Sequence, residues 1–478
     1  MKMTTEVPTS ITTPDSVQTP IGTLEFTDGV PSDATVDTVY DYLDRSRAVQ
    51  VFLNNLGAAS IHGLGRGNKL VGADPSNKVP ITEQLLDSTS LFLTANTSTL
   101  YAFPFLDLKA DGPTVIELPP GMLGALDDAW FRYVGDFGPA GQDKGLGGKY
   151  LILPPDHRGA TPDGYFVLQS KTYRNWVFLR GNTSKGLENA VANIKSTLRI
   201  YPLASADEPP TTEFVDISGR QFNTIAGNDM SFYDDLDAVV QYEPIEAIDP
   251  ETRGLIASIG IVKGQPFAPD DRMRKILTEA VSIANAAARA IVWSPRQDGA
   301  RLYPDGDSAW NIAFTDRNVF FETDGARNLD ARTMFFYAYT AVTPAMATPH
   351  VGQGSDYGIA YRDSQKRPLD GSRTYRLHIP TDVPVADFWA VTLYDAQTRS
   401  MLQTDQQFPT LGSQTDGFVQ NDDGSYDLYF GPHAPAGRES NWLQTIPGKS
   451  WFCILRMYGP LQPWLDQEWR PGGIERQD

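Results

Sequence analysis

Cysteine is almost missing from this chain of 478 residues, which holds only Cys453. A lone cysteine excludes an internal disulfide and a cysteine-built metal centre. It lies in SWFCILRMYG, a near-continuous apolar run, so it reads as an inert core thiol. Histidine is scarce too: His62, His157, His350, His378 and His433 are the five. No two are close enough for an HExxH zinc site, and His378 in YRLHIP alternates with apolar neighbours like a strand residue. No run of about 18 apolar residues marks a membrane span. The N-terminal MKMTTEVPTSITTPDS lacks the apolar stretch, roughly 7–15 residues long, of a secretory signal. A cytoplasmic location is the expectation.

Positive charge is also in deficit. Lys and Arg number 40 against 59 Asp and Glu, a formal charge of −19. Nucleic acid and anionic membrane are poor partners for such a surface, because both need clustered cations. The glycine loop GPAGQDKGLGGKY fails as a phosphate loop: Asp143 stands where the first glycine belongs, and Tyr150 where Ser or Thr belongs. It fails as a dinucleotide fingerprint because a strand, not a helix, follows. No G-x-S-x-G elbow and no EF-hand loop occur. Neither a cofactor nor a metal is expected, and redox chemistry is disfavoured.

What is present is two kinds of texture. SDATVDTVYDYLDRSRAVQVFLNNL carries Val36, Val39, Tyr40 and Leu43 at helical spacing, with Ser32 or Asp33 as N-cap. APDDRMRKILTEAVSIANAAARAIV is a second, stronger helix, with Pro269 at its start, acidic Asp270 and Asp271, and a face of Met273, Ile276, Leu277, Ala280 and Ala284. Between and after them come short β-rich runs broken by Gly, Pro and Asp. The pattern predicts a β-rich α+β fold: two antiparallel, jelly-roll-like β-sandwich domains joined by helical segments. We divide it into an extended arm (1–31), a helix plus β-rich domain (32–182), a mainly helical middle (183–364) and a C-terminal β-sandwich (365–478). Trp389, Leu393, Phe452 and Ile454 should build the C-terminal core. Exposed sheet edges suggest a homo-oligomer.

Polar groups concentrate inside several β-rich stretches. TANTSTLY supplies Asn96, Thr97, Thr99 and Tyr101. WFRYVGD supplies Trp130, Arg132, Tyr133 and Asp136. In TYRNWVFLR, the residues Thr172, Arg174, Trp176, Phe178 and Arg180 share one strand face. Two arginines and a tryptophan on one face suit a carboxylate and an aromatic ring; an Arg–Asp network beside a core tryptophan is the plainer alternative. DFWAVTLYDAQTRS ends a strand on Tyr394, Asp395 and Arg399, and NWLQ adds Asn441 and Trp442. Either Tyr394, Asp395 and Arg399 meet Arg132 or Arg174 in an interdomain pocket, or Asp395 caps a turn and Arg399 pairs with it at the surface.

The long ordered segments SLFLTANTSTLYAFPFLDL, WFRYVGDFGPAGQDKGLGGKYLILPP, IDPETRGLIASIGIVKGQPFAPD, LDARTMFFYAYTAVTPAMA and DFWAVTLYDAQTRSMLQTDQ resemble a family that pairs domain of unknown function 1254 with domain of unknown function 1214. The resemblance spans essentially the whole chain and implies the two β-rich domains; it implies no activity. Ser98 departs from the family pattern, where an acidic residue is common, so no acid–base role carries over to that position. Two functions are expected from the residues. One is a cofactor-independent hydrolase or lyase acting on a small anionic or aromatic molecule. Its acids and bases would be Tyr133, Asp136, Tyr394 and Asp395. Its ligand contacts would be Asn96, Thr99, Tyr101, Trp130, Arg132, Arg174, Trp176, Arg399, Asn441 and Trp442. The alternative is a non-catalytic sandwich that binds sugar or another small ligand.

Overall fold

A computed structural model describes residues 5–477 except Asn182 and Ser184. The fold is β-rich α+β. Its first helix, Asp33–Asn54, starts where Ser32 accepts a hydrogen bond from the Thr35 amide at 3.3 Å, which settles the cap on Ser32. Val39 and Tyr40 are exposed near that end, and the buried residues Ala48, Val51 and Phe52 lie further along. The Asp271–Trp293 helix is capped by Asp270 at 2.7 Å and buries Ile276, Leu277, Ala280, Val281 and Ala284. It is long and apolar enough to cross a membrane by length and composition. Its apolar face, however, packs against the Asp33–Asn54 and Leu329–Ala338 helices.

Two sheets form the N-terminal unit. One runs Glu213–Asp216, Lys78–Ile81, Leu100–Ala102, Arg174–Gly181, Met122–Asp128 and Tyr133–Phe137, with Phe105–Asp107 also paired to Arg174–Gly181. The other runs Phe166–Gln169, Gly148–Leu153, Thr114–Leu118 and Arg199–Pro202. Val177 and Leu179 from the first share a core with Ile116, Ile152 and Ile200 from the second. The C-terminal unit has a five-stranded sheet ordered Trp310–Asn311, Ser355–Ala360, Trp451–Pro460, Val385–Asp395 and Thr410–Gly412. Beneath it lies a four-stranded sheet of Trp442–Gln444, Tyr426–Gly431, Tyr375–Ile379 and Ile474–Arg476.

Several expectations need correction. The segment read as an extended arm carries a small antiparallel sheet of Ser16–Thr19, Gly22–Thr27 and Val30–Pro31; Met1–Thr4 and the boundary residue Asn182 lie outside the described residues. The middle region is mainly helical, as expected, but some of its short strands enter the sheets of both units. Arg199–Pro202 and Glu213–Asp216 complete the N-terminal sheets, and Trp310–Asn311 and Ser355–Ala360 join the C-terminal one. These strands have two to six residues, too few for alternation to stand out against their surroundings. Pairing is mainly antiparallel, but Phe166–Gln169, Glu213–Asp216 and Trp442–Gln444 each run parallel to a neighbour.

The remaining correction positions the site. Trp389 and Leu393 join the core between the two C-terminal sheets, together with Trp451, Cys453, Leu455 and Met457. Phe452 and Ile454 do not: they face the opposite way, into a core shared with the helices and the N-terminal unit. Successive side chains of a strand point to opposite faces, so an unbroken apolar run such as WFCILRMYG belongs to a sheet buried on both sides. The same holds for Arg174–Gly181, where Val177 and Leu179 face one core while Trp176 and Phe178 face the other. Two doubly buried sheets therefore meet at a seam.

Candidate functional site

Each sheet delivers one arginine to that seam. Arg180 follows Trp176 and Phe178 on the alternating face of its strand, and Arg456 follows Phe452 and Ile454 on the other. Both side chains are deeply buried, at 8 % and 5 % exposure. Arg456 Nη2 donates to Thr94 O at 2.6 Å, Ala95 O at 3.3 Å and Tyr394 Oη at 2.7 Å. Its guanidinium lies 5.3 Å from the Tyr357 ring centre. Arg180 Nη1 donates to Ser355 Oγ at 3.4 Å, and the Tyr357 hydroxyl is a second side-chain partner. The Nε atoms of both are buried without a hydrogen-bond partner among the described residues, as is the Tyr458 hydroxyl. Neither arginine pairs with a carboxylate among the described residues.

A cavity of about 50 Å³ lies between them, lined by Asn96, Tyr101, Phe178, Tyr357, Tyr339 and Thr340 besides the two arginines. No carboxylate among the described residues lines it. Outside the lining, Asp127 accepts from the Val342 amide at 3.0 Å and has its other oxygen unpartnered. Burial holds its carboxyl well above the usual range, which favours the neutral form. Burial also raises the Tyr101 phenol, although Arg456 and Arg180 pull it down. The loop that supplies Asn96 is built by its own side chain: Asn96 Oδ1 accepts from the amides of Ser98 and Thr99, each at 2.9 Å, and from Thr99 Oγ1 at 3.0 Å. Just before it, Thr94 sits at φ 44, a strained conformation for a β-branched residue, and its carbonyl meets Arg456.

Two of the sequence constellations meet here. Tyr394 Oη donates to Ala95 O at 2.7 Å, and the Thr94 amide donates to Arg399 O at 3.0 Å. Tyr101 donates nothing across the seam; its hydroxyl accepts from the Asn96 amide at 3.3 Å. Trp176 packs beside Phe178 with ring centres 4.9 Å apart. Asp395, by contrast, caps a turn, accepting from the Gln397 amide at 2.6 Å, and pairs with Lys449 at 2.5 Å rather than with Arg399. Arg399 donates to Tyr337 O at 3.2 Å and Gln397 O at 2.6 Å and lies over the Tyr337 ring.

Arg132 and Arg174 do not reach the seam. Arg132 is bound to Asp128 at 2.6 Å and to Ala247 O at 2.7 Å, and Arg174 to Asp107 at 3.0 Å. Arg174 lies beside Glu243 and Tyr242, and Arg132 beside the Trp130 ring. Tyr133 donates to Asp136 at 3.1 Å, and Asp136 also accepts from Thr343 at 2.5 Å. Trp130 Nε1 reaches Asn55 Oδ1 at 3.4 Å. Asn441 bridges the backbone of Val419 and Asp427, and Trp442 Nε1 donates to Gly431 O at 2.9 Å. Those two are structural parts of the four-stranded sheet, far in function from any cavity.

Among the described residues at least four clefts are larger, the two most voluminous at about 490 and 450 Å³, and in the other two a lining cation is already partnered. In one of about 310 Å³, Arg296 pairs with Asp330 at 2.9 Å. In one of about 250 Å³ beside Trp130, the Lys263 ammonium is spent on the carbonyls of Val240, Gln241 and Glu243. The sequence reading passed over Arg456, Tyr357 and Tyr458. A signal existed for Arg456: it is the one cation inside the run WFCILRMYG.

Comparison with known proteins bears on the fold. No curated protein matches the chain. The crystal structure of the VPA0106 protein from Vibrio parahaemolyticus is similar over 91 % of this chain and 100 % of its own, at 17 % identity and a TM-score of 0.54. An uncharacterized protein from Burkholderia cenocepacia aligns over 93 % of this chain and 96 % of its own, at 12 % identity and a TM-score of 0.39. The model of the protein of unknown function DUF1254 matches residues 76–202, which include Arg180, and that of DUF1214 matches 354–462, which include Arg456. The chain thus belongs to the two-domain family in which DUF1254 precedes DUF1214.

Proposed function

We propose that the protein binds a small anionic molecule in the seam cavity, held by Arg180 from one unit and Arg456 from the other. The observation that carries this reading is the pair of buried guanidiniums without a carboxylate partner among the described residues. A buried ion left uncompensated costs several kcal/mol, so a fold that retains two of them is explained by a ligand that neutralises them. Asn96 and Tyr357 would orient the ligand from either side.

Size argues against the aromatic or sugar ligand. An engineered cavity of about 150 Å³ takes up benzene, and the seam cavity has about 50 Å³. Acid–base catalysis by Asp136 or Asp395 draws no support from the geometry, since Thr343, Tyr133 and Lys449 occupy them and neither lines the cavity. Binding is therefore the better-supported half of the expectation. We also read each pair of sheets around one core as a jelly-roll-like sandwich, on the strength of their shared cores.

The test is calorimetric titration of small anions into the purified chain and into Arg180→Met and Arg456→Met variants. Saturable binding to the parent, lost in the folded variants, is expected. Equal binding by parent and variants would sink the reading.

A further inference from the structure

Resting on the anion-site reading above, we infer that the seam ligand is a compact dianion: an oxyanion group with two negative charges, free or at the tip of a slim molecule. Charge is the first argument. Two guanidiniums line one cavity and no carboxylate among the described residues lines it, so a monoanion leaves one buried cation unmatched, while a dianion matches both.

Donor geometry is the second argument. Arg456 commits Nη2 to carbonyls and a phenol, and its Nε stays unpartnered; Arg180 likewise keeps Nε unpartnered. An Nε–H beside an Nη–H is the edge that binds two oxygens of one oxyanion in parallel. Arg180 can offer that edge, while Arg456, from the opposing sheet and with the adjoining Nη2 committed, offers its Nε–H alone. Neutral donors remain for the rest: the Thr340 hydroxyl lines the cavity, and the Tyr458 hydroxyl is electrostatically close to both arginines. Both hydroxyls are buried without partners.

Volume is the third. About 50 Å³ exceeds the space one water needs and falls well short of a benzene site. It suits a phosphate, sulfate or short dicarboxylate group rather than a bulky monocarboxylate.

Sulfate, phosphate and malonate, compared with acetate and nitrate at constant ionic strength, test this on the full chain by titration calorimetry. Sulfate and phosphate also raise thermal stability by exclusion from any protein surface, so saturable heat is the readout rather than melting temperature alone. We expect at least one dianion to bind ten times tighter or more than either monoanion. Arg180→Met and Arg456→Met should abolish that heat, and Tyr458→Phe, which keeps the ring and its packing, should weaken it severalfold. Monoanions that bind as tightly as dianions, with the same dependence on Arg180, overturn the dianion and leave the anion site standing. No saturable heat from any anion, or heat undiminished in the variants, overturns both. If Arg456→Met fails to fold, Arg180→Met and Tyr458→Phe decide the matter alone.

Discussion

Two groups of arginines occupy neighbouring regions of the N-terminal sheet and follow opposite rules. At the outer edge, Arg132 and Arg174 are about two-fifths exposed, and each meets a carboxylate, Asp128 or Asp107. At the seam, Arg180 lies on the same strand as Arg174 but is buried, with only the hydroxyls of Ser355 and Tyr357 as side-chain partners among the described residues. The edge arginines complete the fold by answering acids that are partly or wholly buried. The seam arginines meet only neutral acceptors, and no carboxylate, among the described residues. Exposure and partner together, rather than residue type, separate a structural cation from a binding one.

The contrast is sharpest when the same substitution is made in both regions. Arg132→Met strips the buried Asp128 of its partner and frees the Ala247 carbonyl, so it should destabilise by about 3–5 kcal/mol in denaturant unfolding. A loss below about 1 kcal/mol would remove Arg132 from the structural class.

The edge also predicts a pH dependence. Glu243 accepts from the amides of Tyr173 at 2.6 Å and Arg174 at 3.0 Å, yet burial raises its carboxyl from the ordinary 4.5 to about 7. A raised carboxyl favours the folded state most when protonated. Its stabilisation is complete below pH 4.5, is lost as pH rises through about 7, and amounts to about 3 kcal/mol. Glu243→Gln should flatten that slope in unfolding experiments between these limits; an unchanged slope assigns it to other groups.

Arg180→Met should move the other way. Replacing an uncompensated buried cation with an apolar side chain of similar volume should stabilise the anion-free protein by about 1–2 kcal/mol. A marked loss instead would mean that a counter-charge reaches Arg180 in solution. Arg174→Met is the smallest effect, under about 1 kcal/mol, because its pair is only partly buried and Asp107 keeps the Tyr242 hydroxyl at 2.6 Å. A larger cost would show that Arg174 also anchors the edge through Tyr242, over whose ring it lies.

Much of the fold could be read in advance. Alternation in TYRNWVFLR correctly aligned Trp176, Phe178 and Arg180, and the helices at Asp33–Asn54 and Asp271–Trp293 followed from cap residues and apolar spacing. The strands of the middle region escaped because four residues such as EFVD carry almost no periodic signal. For the site, Tyr394 and the Asn96 loop were singled out, and they touch through Ala95. Arg132 and Arg174 were singled out equally, on the same kind of pattern, and lie elsewhere.

The sequence by itself determined which residues alternate on each strand, that no cysteine cluster exists, and that acids outnumber cations by 59 to 40. With so many acids, any arginine has candidate partners along the chain. Only the tertiary structure decided which were used. Ion pairing depends on distances of a few ångströms between segments hundreds of residues apart, such as Arg180 and Arg456, and no local pattern encodes those distances. Packing of two doubly buried sheets brought both cations to one cavity and left every carboxylate of the described residues out of its lining.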